Sequence, residues 1–309
     1  MTANALRLGT RRSALALAQS GLVAQAITEH TGLAVELVEI TTFGDVSKEA
    51  ITRIGGTGVF VSALRDALLD GSVDLAVHSL KDLPTAEPKD LLLAAVPERE
   101  DVRDVLVARD RLKFADLPPG SRIGTGALRR AAQLRLLRRD LEVVPVRGNV
   151  DTRVGYVAKG ELDAVVIACA GLQRLGRGAE ATDYFDPAAM VPAPGQGALA
   201  VECRAADTRL AEQLSALDHR STRAAVRAER ALLSALEAGC SAPVGGHAVV
   251  AGAELQLTGI VAEAQASGPA PRSVRMSATG SPDEAERLGR ELAARMLAEG
   301  AAGLMGKQP

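Results

Sequence analysis

The chain has 309 residues, is 47% hydrophobic and 24% charged, and carries a formal net charge of -2. That is the composition of an ordinary globular protein long enough for two or three domains of about 100 residues. So small a net charge gives the molecule no overall pull on nucleic acid or on a membrane, and two Tyr, four Phe and no Trp leave few rings to stack bases. No apolar run approaches the roughly 18 residues of a membrane helix. Met1 to Arg12 shows neither the apolar stretch nor the small-residue cleavage site of a secretory signal, so a cytoplasmic protein is expected. Three cysteines, at 169, 203 and 240, make neither a disulfide framework nor a CxxC site, and no metal is expected.

Ala5 to Gly9 reads as a first strand, followed by Thr10-Arg11-Arg12-Ser13 and an apolar-periodic helix from Ala14 to Glu29. Ser13 suits the N-cap, which sets Arg11 beside a helix N-terminus where an anion is favoured; an exposed Arg next to an ordinary cap is the other reading. Ala34 to Thr42 alternates as a strand, and Gly55-Gly56-Thr57-Gly58 opens a helix from Val59 to Leu69. This glycine turn lacks the Gly-Lys-Ser/Thr ending of a phosphate loop.

The run Leu75 to Val77 reads as a buried strand that delivers His78, Ser79, Lys81 and Asp82 into a turn closed by Pro84. Open α/β sheets place reactive groups at this end of a strand. A neighbouring Lys favours the carboxylate form of Asp82 and burial in a ligand-filled cleft opposes it, so its proton affinity is tunable for acid/base work. A solvated turn with a surface ion pair is the alternative. Strands at Leu91 to Val96 and Val105 to Val107 flank a charged link, Pro97 to Asp101, that suits a crossing between domains.

A second α/β unit follows. Arg122 to Gly126 is a strand ending in a glycine turn, and the helix Ala127 to Arg139 begins with Arg129 and Arg130, where basic residues oppose the helix dipole and call for an anion. The strand Leu141 to Val146 ends in Arg147-Gly148-Asn149, and the helix from Val150 carries Arg153. Asp163 to Ala170 reads as a buried strand containing Cys169, followed by Gly171-Leu172-Gln173-Arg174. Arginines at three successive strand ends imply a cleft for several carboxylates or phosphates. From Arg122 to Arg153 there are eight Arg against three acids, although 30 of all 36 basic residues are Arg.

Val191 to Gly197 is a Pro/Gly-rich linker, and the strand Ala198 to Cys203 follows it. Two βα halves joined by two crossings, the second returning a strand to the first half, is the plan of two hinged lobes like a type II periplasmic binding protein. The expected domains are lobe 1 at 1–97 and 198–216, lobe 2 at 103–192, and a small C-terminal α+β domain at 220–309. Helices from Asp207 to Leu217 and Thr222 to Glu237 lead to Gly239-Cys240-Ser241-Ala242-Pro243, so Cys240 lies on a loop, either inert or reactive, whereas Cys169 and Cys203 read as core residues. Three strands around Val249, Leu257 and Val274 and a helix from Asp283 to Glu299 complete that domain.

Taken together, Gly9-Thr10-Arg11-Arg12-Ser13, Val77-His78-Ser79-Leu80-Lys81-Asp82-Leu83-Pro84, Leu128-Arg129-Arg130, Val146-Arg147-Gly148-Asn149, Ala170 to Gly176, Pro194-Gly195-Gln196-Gly197 and Gly239-Cys240 resemble the hydroxymethylbilane synthase (porphobilinogen deaminase) family nearly end to end. The resemblance implies a dipyrromethane cofactor bound by a thioether to Cys240. It also implies four porphobilinogen molecules deaminated and joined head to tail, with release of linear hydroxymethylbilane. By the same resemblance Asp82 is catalytic and contacts pyrrole nitrogens. Ser79, Lys81, Thr125, Arg129, Arg130 and Arg147 would hold the cofactor, and Arg11, Ser13, Arg153 and Arg174 the substrate and growing polypyrrole. The family expectation is a monomer. Thr57 stands where many relatives have Lys, and Gly126-Ala127 where many have two serines. A two-lobed anion-binding module accounts for the lobes and arginines equally well but not for Asp82 beside Lys81 or for Cys240.

Overall fold

The computed structural model describes residues 5–41, 58–239, 242–263 and 271–305. Thr57, most of the glycine turn before the second helix, and Cys240 lie outside the described residues. Two compact units emerge, one of residues 1–100 and 198–223, the other of 101–197 and 224–309.

The chain opens with β1 (Leu6–Thr10), α1 (Ala14–Thr31), β2 (Val35–Glu39), α2 (Gly58–Leu69), β3 (Leu75–Ser79) and β4 (Leu91–Ala95). It passes into the second unit with β5 (Asp104–Ala108), β6 (Arg122–Thr125), α3 (Leu128–Leu137), β7 (Glu142–Pro145), α4 (Val150–Ala158), β8 (Ala164–Ala168), α5 (Cys169–Arg174) and β9 (Asp183–Tyr184). β10 (Leu199–Arg204) then returns to the first unit, followed by α6 (Thr208–Leu214) and α7 (Arg220–Ala235). Strands β11 (Val244–Ala251), β12 (Glu254–Ala262) and β13 (Ser273–Gly280), with helix α8 (Ala285–Ala298), close the second unit.

The first unit is built on a sheet of order β2-β1-β3-β10-β4, and the second on one of order β7-β6-β8-β5-β9. The two share one pattern: three parallel strands, then an antiparallel strand, then an edge strand antiparallel to that. This is the two-lobed α/β architecture expected, and the three-stranded antiparallel sheet β11-β12-β13 is the α+β addition.

Strand alternation sorts side chains between the faces of each sheet. In the first, Leu75 and Val77 of β3 join Leu199, Val201 and Cys203 of β10 against Val23 and Ile27 of α1. Ala76 faces the other way, toward Leu64, Ala67 and Leu68 of α2. In the second, Val105 and Val107 pack with Val154 and Val157 of α4, while Leu106 and Ala108 pack with Leu134 of α3. α7 and α8 cover the third sheet, their backbones so close that a Cβ on Gly289 would lie 2.3 Å from the Ala228 carbonyl oxygen.

Cys169 is a correction to the sequence reading: it is the first residue of a helix rather than part of a strand, because β8 ends at Ala168 and Cys169 to Arg174 wind into α5. It remains buried, as does Cys203, and burial pushes each thiol up to about 11. No helix among the described residues is long and apolar enough to cross a membrane.

Candidate functional site

In the first unit the candidate site residues gather at the carboxyl ends of β1 and β3. Ser13 caps α1, its hydroxyl oxygen accepting the Ala16 N–H at 3.3 Å, and Arg11 stands half-buried just before it. β3 ends at Ser79, and Leu80 to Asp82 form a single 3-10 turn. The turn is tied down by the Leu80 N–H to the Ala198 carbonyl at 3.0 Å and the Leu83 N–H to the Leu80 carbonyl at 3.1 Å. Asp82 is thereby presented exposed, with Lys81 half-buried beside it.

Two supports of this turn were not singled out in the sequence. Alternation turns Ser79 to the α1 face, where the Gln19 amide donates to its hydroxyl at 3.0 Å. Gln19 is 6% exposed and lies on the same stripe as Val23 and Ile27, so a polar residue on an apolar helix face was the available signal. His78 points to the α2 face, its Nε2 3.2 Å from Oε2 of Glu202, which Arg65 grips bidentately at 3.0 and 2.7 Å. Burial pushes the Glu202 carboxyl up, but the adjacent His78 ring and the two hydrogen bonds from Arg65 outweigh it and hold the group at about 2.

In the second unit Arg129 and Arg130 occupy the first turn of α3, both buried. The anion that such a turn calls for is met in part from within the fold. Asp104, on the α3 face of β5, is wholly buried, and its carboxylate takes Arg129 Nη1 at 2.7 Å and Arg130 Nε at 2.9 Å. Burial pushes the Asp104 carboxyl up, yet the two guanidiniums hold it far below the usual carboxylate range. Gln196, from the Pro194 to Gly197 turn, joins the network by donating to Asp104 at 2.8 Å. The sequence reading began that strand at Val105 and so passed over Asp104.

The remaining predicted residues are placed as follows. Thr125, buried at the end of β6, accepts the Ala127 N–H at 3.3 Å. A Cβ on Gly126 would lie 2.5 Å from the Val146 carbonyl oxygen and 3.6 Å from Arg153 Nη2, so this backbone path excludes a serine there and brings Arg153 against the glycine turn. Arg147 follows β7 and is exposed. Arg174 ends α5, with Nη2 donating to the Gly197 carbonyl at 2.7 Å.

Residues 6–212 match the family model described as porphobilinogen deaminase, dipyromethane cofactor binding domain, and residues 223–298 match that of the porphobilinogen deaminase C-terminal domain. The chain is 59% identical to porphobilinogen deaminase 1 of Streptomyces coelicolor, covering 100% of this chain and 99% of the relative. It is 56% identical to the porphobilinogen deaminase of Thermobifida fusca, covering 97% and 96%. Among solved structures, a periplasmic substrate-binding protein of an ABC transporter from Coxiella burnetii matches at a TM-score of 0.43 and 16% identity, covering 69% of this chain and 91% of that one. The chain belongs to the porphobilinogen deaminase family.

Proposed function

We infer that the chain carries out the reaction of its family, as a monomer in the cytoplasm: deamination and head-to-tail condensation of four porphobilinogen molecules, with release of linear hydroxymethylbilane and ammonia, in tetrapyrrole biosynthesis. The observation that carries this reading is Asp82, an exposed carboxylate beside Lys81 on a turn tied to β10 and, through Ser79, to α1. A carboxylate so held can accept hydrogen bonds from pyrrole N–H groups, stabilise positive charge developing as ammonia leaves, and carry a proton.

The donor set fits a dipyrromethane, whose rings bear acetate and propionate groups that guanidiniums match bidentately. Cys240 would hold it by a thioether, with Ser79, Lys81, Thr125, Arg147 and the Arg129–Arg130 pair around its polar groups. When bound, the dipyrromethane supplies the terminal ring to which the first substrate unit is joined. Arg11, Ser13, Arg153 and Arg174 would receive the carboxylates of incoming substrate. At Gly126-Ala127, which lacks the two hydroxyls of many relatives, backbone N–H groups at the start of α3 take the place of side-chain donors.

The test is the intact mass of purified protein. An excess of two pyrrole units is expected, absent from Cys240→Ala, and that variant should melt at a lower temperature because a group bound only to the native state stabilises it. Pyrrole mass or normal turnover retained without Cys240 would defeat the assignment.

A further inference from the structure

At the first turn of α3 two buried guanidiniums share one carboxylate. Arg129 and Arg130 are 4% and 5% exposed and Asp104 is 0% exposed, so two cations meet one carboxylate. Gln133 and Gln196 complete the cluster with amides that add no charge; Gln133 holds Val191, whose carbonyl also accepts Arg129 Nη1 at 2.7 Å. Glu229, buried nearby on α7, turns its oxygens to the amides of Gly195 and Ala248 at 2.7 and 2.8 Å. Burial lowers the proton affinity of the Arg129 guanidinium, Arg130 adds to the effect, and Asp104 does not cancel it. An unbalanced buried cation is costly unless another anion arrives.

The hydrogen bonds show where that anion fits. Arg130 has all three nitrogens engaged: Nε with Asp104 at 2.9 Å, Nη1 with the Val166 carbonyl at 3.3 Å, and Nη2 with Asp104 at 2.8 Å and Gln196 at 3.4 Å. Among the described residues, Arg129 bonds through Nη1 alone. Its Nε and Nη2 form the side-on edge that matches a carboxylate bidentately.

We propose that Asp104 is a positioning residue for ligand binding: it locks Arg130 as a buttress and holds Arg129 by one nitrogen, leaving one guanidinium edge for a single carboxylate. This rests on the reading of the arginine pair as part of the dipyrromethane site.

The experiment is the rate at which apoprotein, made in cells lacking porphobilinogen, gains the dipyrromethane mass when porphobilinogen is added. Asp104→Asn should load on the order of tenfold or more slowly, the worth of one charge-assisted contact. Loading should fall by clearly more than activity per loaded chain, since the thioether retains the group once formed. Loading at the wild-type rate overturns the proposal. So does faster loading, expected of a cradle that works by net charge alone, and so does an equal loss in loading and in activity per loaded chain, which marks general loosening. Should Asp104→Asn fail to fold, Gln196→Leu loosens the carboxylate without altering charge; slower loading supports the assignment and unchanged loading refutes it. Arg129→Met separates the two layers: normal loading there defeats the underlying reading, whereas slow loading there with normal loading in Asp104→Asn defeats only the positioning role.

Discussion

Replacing Glu202 by Gln should destabilise the first unit in a way that fades with acid. Glu202 is 3% exposed and its carboxylate answers both Arg65 and His78, so neutralising it leaves the Arg65 charge without its counter-ion. A carboxyl whose proton affinity falls from an ordinary 4.5 to about 2 on folding contributes on the order of 3 kcal/mol at neutral pH, in line with the cost of breaking a buried pair. Because the folded value is the depressed one, that stability is complete above the ordinary carboxylate range. It drains as pH falls from about 4.5 toward 2, with more than half gone by about pH 3. Glu202→Gln should therefore be less stable than wild type by about 3 kcal/mol at pH 6, and the gap should narrow toward pH 3. Both Tyr, at 156 and 184, lie in the second unit and there is no Trp, so fluorescence would not see this site. Urea unfolding followed by circular dichroism, with hydrogen exchange read on peptides spanning 75–79 and 199–204, reports it directly. A gap below about 1 kcal/mol at pH 6, or one that stays constant with pH, would refute the reasoning.

Asp82→Asn, supplied with preformed cofactor, should fold and bind yet release ammonia about 100- to 10,000-fold more slowly in a single turnover, the usual worth of one acid/base group. Near-normal release would move the chemistry to another residue. Gly126→Ser should lower stability by about 1 to 3 kcal/mol, since its Cβ would meet the Val146 carbonyl oxygen at 2.5 Å. An unchanged melting temperature would mean that the glycine turn relaxes freely.

Periodicity alone makes the layers legible in the sequence. The apolar runs of β3, β8 and β10 and the Gly and Pro punctuation between elements mark the two α/β lobes and the appended meander, because a strand buried on both faces needs a continuous apolar run. Of the candidate site, Asp82 after a strand and Arg129 and Arg130 set against a helix dipole were legible. What escaped were the partners that hold those residues, Gln19, Glu202 and Asp104. Glu202 sits 124 residues after His78 and Asp104 25 before Arg129. Their pairing depends on strand register and on which sheet face a side chain takes, and neither appears in local spacing. Arg129 and Arg130 also show that a charge mismatch at a helix start names the need for an anion without naming its source.

The strand order of the first sheet has a consequence for biosynthesis. β10 lies between β3 and β4, yet β4 ends at Ala95 and β10 begins only at Leu199. Until that strand emerges from the ribosome, β3 and β4 have no neighbour to join them, and the loop to be closed spans the five strands of the other large sheet. That second sheet is assembled wholly from residues 104–184, so it can be finished while the first is still missing its middle. Synthesis thus runs from the N-terminus while sheet completion can run the other way, and the turn bearing Asp82, tied to Ala198, gains its anchor only after every strand of the arginine-bearing sheet has been made.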